Sequence, residues 1–279
     1  MRTSRVILMT LLLSLLLAGC GGTRYEAPSA DADVNVAVSI LPQRYFVRKI
    51  GGDHVSVLVM AGPGELPLTY EPPKGEFKAL KNRDAYFLIG IPPENAWAPN
   101  ITEANPDIKI VDTTLGIERP HNDPHIWLSP RLVKIQARTI ADAFIEMDPQ
   151  HEADYRANLD AFLADLDALD ADLQKTLQPV AGKTFIVSHP AWGYFARDYG
   201  LKMEAMGDSP NCKSINELAQ LAQKENIAII FYQRGFDEEQ PQLLASLIEG
   251  ARVMPLSPLN PNWENNLRSV SLLLAESMR

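Results

Sequence analysis

The chain is poor in cysteine: Cys20 and Cys212 are the only two in 279 residues. A lone pair of thiols cannot staple a domain of this size, so stability must come from a hydrophobic core. Hydrophobic residues make up 46% of the chain, which is ample for one. Positive charge is also scarce. The net charge is −9, which suits neither a nucleic-acid groove nor an acidic ligand. His-Glu-x-x-His and Gly-x-Ser-x-Gly are absent, so the commonest signatures of zinc hydrolases and serine hydrolases are missing. No apolar stretch has the length of a comfortable transmembrane helix; the run at residues 6–18 is too short.

That run has a different meaning. The N-terminus reads MRTSRVILMTLLLSLLLAGC, with Arg2 and Arg5 before the apolar segment and small residues directly before Cys20. It resembles a bacterial lipoprotein signal. The resemblance implies cleavage before Cys20, lipid on that cysteine, and a polar tether over residues 20–33. Loss of residues 1–19 removes two positive charges, so −9 becomes −11. A field of that sign favours cations, or serves solubility alone. Cys212 then stands by itself, as a small residue near a helix start or as a metal or redox thiol.

The rest alternates. Residues 34–40 (VNVAVSI), 55–60, 85–89 and 108–111 read as buried strands with helical or turn-rich segments between them. Residues 130–177 break the pattern. One helix covers about 131–147, and a second runs from about 151 to 177 with neither glycine nor proline. Its apolar positions, from Tyr155 to Leu177, recur at helical spacing beside a wide acidic face. It would span about 40 Å, and a coiled coil is a weak alternative. Strands resume at 184–188, 201–206 and 227–232, with helices at 192–199, 215–224, 238–249 and from 263 onward. The expectation is an α/β fold: two lobes with parallel sheets, 34–149 and 179–279, joined by one long rigid helix at 150–178.

Two histidines stand out. His125 follows Asp123-Pro124 in HNDPHIWLSP, and His189 directly follows the strand TFIVS. Ligands of α/β folds bind beyond the carboxyl ends of strands. One imidazole from each lobe, facing a shared cleft, would suit a borderline metal such as zinc. Either histidine alone would serve equally as a packed or surface residue. His54 and His151 read as surface residues in a turn and at a helix start. Aromatic residues border the same regions (Tyr70, Trp127, Trp192, Tyr194, Tyr232), as lobe-interface packing or as walls for an organic ligand.

Four stretches, in order, carry a family resemblance: SILPQRYFVRKIGGDHVSVLVMAGPG, TYEPP, DPHIWLSP and SHPAWGYFARDYGL. The chain resembles the zinc/manganese-type (cluster A-I) solute-binding lipoproteins of bacterial ABC transporters. The resemblance implies two α/β lobes on a helical backbone, a divalent metal held between them, and His125 and His189 as ligands. It also implies a monomer, held to the membrane by lipid, facing the periplasm or cell exterior, and delivering cargo to a permease with its ATPase. Two donor positions depart from the pattern. Leu68 stands where a histidine is usual, and Ser257 where an aspartate is usual. Leucine cannot ligate and a neutral serine is a poor donor, so His121, Glu65, Glu71, Gln233 or Asp237 would have to complete the site, or water would. Glu71 reads equally as a support for its proline-flanked loop, His121 as an exposed loop residue, and Gln233 as a helix-start hydrogen bond.

The expected function is therefore capture of zinc, or of manganese or iron, by a transport receptor that is not an enzyme. The alternatives are a lipid-anchored receptor for a metal chelate or small organic ligand, and an adhesin-like module without metal. A metal hydrolase using Glu71 is the remaining class.

Overall fold

A computed structural model describes residues 32–207, 212–236 and 238–279. Strand β1 (Val34–Ile40) is buried at every position except Asn35, as expected of a strand covered on both faces. It pairs in parallel with β2 (Val55–Ala61) and β3 (Ala85–Leu88), and β3 pairs with β4 (Lys109–Asp112). The second sheet holds β5 (Thr184–Val187), β6 (Lys202–Ala205), β7 (Ile229–Tyr232) and β8 (Arg252–Pro255), again all parallel. The strand orders are β2-β1-β3-β4 and β6-β5-β7-β8. The two sheets thus repeat one topology, and each reverses direction of winding between its first and third strands in chain order.

Helix α1 (Leu41–Gly51) leads from β1 back towards β2, with Pro42 in its first turn. Helix α2 (Pro93–Ala104) precedes β4. It was not expected, because Pro92, Pro93 and Pro99 hide it. The first two sit where the helix has no hydrogen bond to lose, and Pro99 is tolerated inside. Strand β8 was also not expected: it is a half-exposed edge strand of four residues with no apolar alternation.

Helix α3 (Pro130–Met147) is capped by Ser129, whose Oγ accepts from the Leu132 N–H at 3.2 Å. After a turn at Pro149–His151 comes α4 (Glu152–Leu177), 26 residues and about 39 Å long. Tyr155, Phe162, Leu166, Leu169, Leu173 and Leu177 form its buried stripe. It does not pair as a coiled coil; it packs on α1, α3 and the last helix, α8 (Trp263–Ser277). Its acidic face is answered by bases from those same three helices. Lys49 pairs with Asp165 (2.7 Å), Arg131 with Asp170 (3.1 Å), Lys134 with Asp167 and Arg268 with Asp172.

Helices α5 (Gly193–Asp198), α6 (Ile215–Glu225) and α7 (Glu239–Ser246) belong to the second sheet. One continuous core runs from Val34 through α4 to Ala275 and includes residues of both sheets. A smaller cluster, with Ile186, Leu218, Ala222, Ile230 and Leu244, lies under α6 and α7. Among the described residues no helix is long and apolar enough to cross a membrane.

Candidate metal centre

The centre is built outward from Asp123. Its Oδ1 accepts twice from His125: from the backbone N–H at 3.0 Å and from ring Nδ1 at 2.7 Å. A carboxylate can only accept, so Nδ1 carries a hydrogen and Nε2 is the nitrogen left to face the other lobe. Asp123 is itself held by the second sheet's helix. The Tyr194 hydroxyl donates to its carbonyl at 2.9 Å. Gly193 lies beneath its carboxylate, where a Cβ would stand 3.1 Å from Oδ2. His125 is buried, its ring centroid 5.1 Å from that of Trp127. Trp127 Nε1 donates to the Pro258 carbonyl at 2.7 Å, across the cleft.

His189 comes from the other lobe, just past β5. Its Nε2 lies 3.1 Å from His125 Nε2, with the rings at 76°. Phe236 stacks on its outer face, centroids 4.6 Å apart and 15° from parallel. Burial pushes the His189 imidazolium down to about 4; His125 beside it acts the same way, and Asp123 opposes. His189 is therefore neutral at pH 7. Between the two rings, one Nε2–H donates to the other nitrogen's lone pair. A neutral imidazole can move that hydrogen to Nδ1 without changing charge, which turns both Nε2 lone pairs towards one point. Zinc bonded to two imidazoles at 2.0–2.1 Å in a tetrahedral arrangement sets their nitrogens about 3.3 Å apart. The observed 3.1 Å is a few tenths short of that.

One further polar residue, Gln233, lines the space beside the pair. Gln233 follows β7, the strand beside β5, so it and His189 stand at the carboxyl ends of strands where the sheet's winding reverses. Its backbone N–H donates to Ser188 Oγ at 3.3 Å. Its side-chain Oε1 is buried and has no hydrogen-bond partner among the described residues. A buried carbonyl oxygen without a donor costs free energy unless a ligand satisfies it. The other walls around the two histidines are apolar: Leu66, Leu68, Phe236 and Leu259.

The remaining expected donors are distributed otherwise. Leu68 does border the histidine pair and offers nothing to a cation. His121 is exposed, with φ 54°, and lines an open cavity of about 610 Å³ on the far side of the pair, together with half-buried Cys212. Ser257 is exposed and borders a separate cavity of about 540 Å³, as do Glu65 and Gln233. Glu65 accepts from the Gly62 N–H at 2.7 Å. Glu71 is exposed and borders neither cavity nor the histidine pair. The fold therefore does not bring Glu71 or Ser257 to the pair: one sits on a solvent-facing loop and the other points into the neighbouring space. Asp237 and Cys20 lie outside the described residues. Sequence reasoning missed Asp123 and Phe236. The spacing Asp-Pro-His, which favours an Asp side chain folding back on the backbone two residues on, was the available signal for the first.

Comparison with known proteins agrees with this architecture. The family model described as "ZnuA: Zinc-uptake complex component A periplasmic" matches residues 36–271. The zinc-binding lipoprotein AdcA of Streptococcus pneumoniae is 27% identical over 94% of this chain. The chain spans 56% of that relative's length. The high-affinity zinc uptake system protein ZnuA of Bacillus subtilis is 26% identical, over 88% of this chain and 85% of the relative. A crystal structure of a ZnuA superposes with a TM-score of 0.84 at 40% identity, covering 89% of this chain and all of the other. The match over most of its length, and the two repeated sheets on a long helix, place this chain in the ZnuA family of zinc-uptake components.

Proposed function

We propose that the protein is the extracytoplasmic substrate-binding component of an ABC transporter. It captures a divalent metal, zinc first, with manganese and iron as weaker candidates, and passes it to a membrane permease driven by an ATPase. It is a receptor and catalyses no reaction. The observation that carries this reading is the convergence of two imidazole Nε2 atoms from opposite lobes, 3.1 Å apart. His125 and His189 would bind the cargo, with the orphaned Gln233 oxygen as third donor and water completing the set. Two imidazoles select for zinc over the hard cations magnesium and calcium. Asp123 would serve behind His125 by fixing its tautomer and strengthening it as a base. The lipoprotein signal ending at Cys20 supports export and a lipid anchor, as do the names of relatives such as AdcA.

The donors proposed among the described residues are neutral, and such a set holds zinc less tightly than a complete four-donor cage with a carboxylate. Calorimetric titration of the metal-stripped domain tests this. Zinc should bind with one equivalent lost in the His125→Ala/His189→Ala variant, and should bind at least tenfold more weakly in Gln233→Ala. Unchanged affinity in the double variant would sink the proposal.

A further inference from the structure

A second group of metal-type ligands lies at the other end of the first sheet. Asp33 precedes β1, His54 ends the turn before β2, and His151 ends the turn before α4. All three were expected at the surface or in a tether; instead they meet. Their ligating atoms lie within 4.8 Å of one another. Asp33 Oδ2 is 2.7 Å from His54 Nδ1 and 3.7 Å from His151 Nδ1. The two imidazoles stack face to face, centroids 3.9 Å apart and 25° from parallel. Both are about three-quarters buried.

Two neighbours complete the arrangement. Buried Asp148 places Oδ2 2.7 Å from His151 Nδ1, where it is held by the Tyr155 hydroxyl at 2.6 Å. Asp154 Oδ2 lies 3.2 Å from the opposite nitrogen of His54, Nε2. A carboxylate therefore stands at each nitrogen of His54, and a metal at Nδ1 would take the place of the hydrogen that this nitrogen donates to Asp33.

We propose that Asp33, His54, His151 and Asp148 form a second zinc-class site, separate from the cargo site. Three carboxylates, Asp33, Asp148 and Asp154, surround the two stacked rings with negative charge. One divalent cation among both Nδ1 atoms and Asp33 Oδ2 supplies the positive charge from a single centre. The short 2.7 Å contacts would then open to the wider spacing of ligands around an ion. Two nitrogens with two carboxylates suit zinc rather than calcium or magnesium. The ion would tie the start of β1, from which the chain runs towards Cys20, to the start of α4. It lies at the amino ends of β1 and β2, while the cargo site faces carboxyl ends.

The test uses the exported domain from Cys20 onward in the His125→Ala/His189→Ala background, so that it does not depend on the cargo site. Equilibrium dialysis against zinc should find one equivalent remaining, weakened at least tenfold by His54→Gln/His151→Gln. A crystal of the unsubstituted protein soaked in zinc should give an anomalous peak between Asp33, His54 and His151, a readout no variant's folding can disturb. No residual zinc in the background, residual zinc indifferent to His54 and His151, or no peak at that position would overturn the proposal. If the cargo reading alone is wrong, zinc stoichiometry is the same with and without His125→Ala/His189→Ala, and only His54→Gln/His151→Gln reduces it.

Discussion

At the scale of single residues, the proposed cargo site turns on one position with nothing to offer. Leu68 borders both histidines, in the stretch Pro67-Leu68-Thr69-Tyr70-Glu71-Pro72, yet supplies only methyl groups. Leu68→His would add an imidazole on the open side of the pair. Zinc affinity should rise at least tenfold in calorimetric titration, since a third nitrogen replaces water; an unchanged affinity would show that residue 68 does not reach the ion. His125 and His189 were legible because each follows a recognisable local signal: a turn-forming Asp-Pro, and the end of a buried strand. Gln233 was legible by the same strand-end rule, but its orphaned oxygen was not, because satisfaction of a buried atom depends on every neighbour. Phe236 over His189 and Asp33 against His54 were illegible for another reason. They join residues far apart in the chain through loops that carry no periodic pattern.

At the scale of elements, the long helix was readable and its neighbours were not. An unbroken 3.6-residue pattern announces α4, whereas its acidic face gives no hint of which bases will cover it. Those bases come from α1, α3 and α8. Each such exposed pair contributes only about 0–1 kcal/mol. The apolar contacts decide more. Trp263, at the start of α8, is buried against Phe46 of the first lobe at 5.0 Å, edge to face, and beside Tyr45. Its Nε1 donates to the Trp127 carbonyl at 2.7 Å. The last helix of the chain is thus a strap across both lobes, which a division at residue 179 does not suggest. Trp263→Ala should destabilise the protein by about 3–5 kcal/mol in denaturant titration. It should also loosen the loop carrying Trp127, two residues from His125. A loss under 1 kcal/mol would mean that α8 docks independently of this anchor.

At the scale of the molecule, two sheets of the same strand order share one core instead of two. Hinge closure needs a segment that bends and an interface that can part. Here α4 passes between the lobes without glycine or proline, α8 crosses them, and Trp127 bonds Pro258 over the cleft. Cargo capture should therefore move loops, not lobes. Small-angle scattering of the metal-free and zinc-loaded forms should superimpose, with backbone shifts on the order of 1 Å or less. A clear contraction on loading would show that the shared core can part after all.

The neutrality of the donors around His125 and His189 has a consequence for how loading is read from outside. Two imidazoles and an amide cancel none of the cation's charge, and among the described residues the carboxylate bonded to the pair, Asp123, stands behind one ring. In the proposed site an arriving zinc ion would therefore shift the electrical potential of the cleft mouth by nearly its full double charge. Empty and loaded receptors would have almost the same shape but present different fields. A permease facing that mouth could tell them apart by electrostatics alone, and so could their mobility in a native gel.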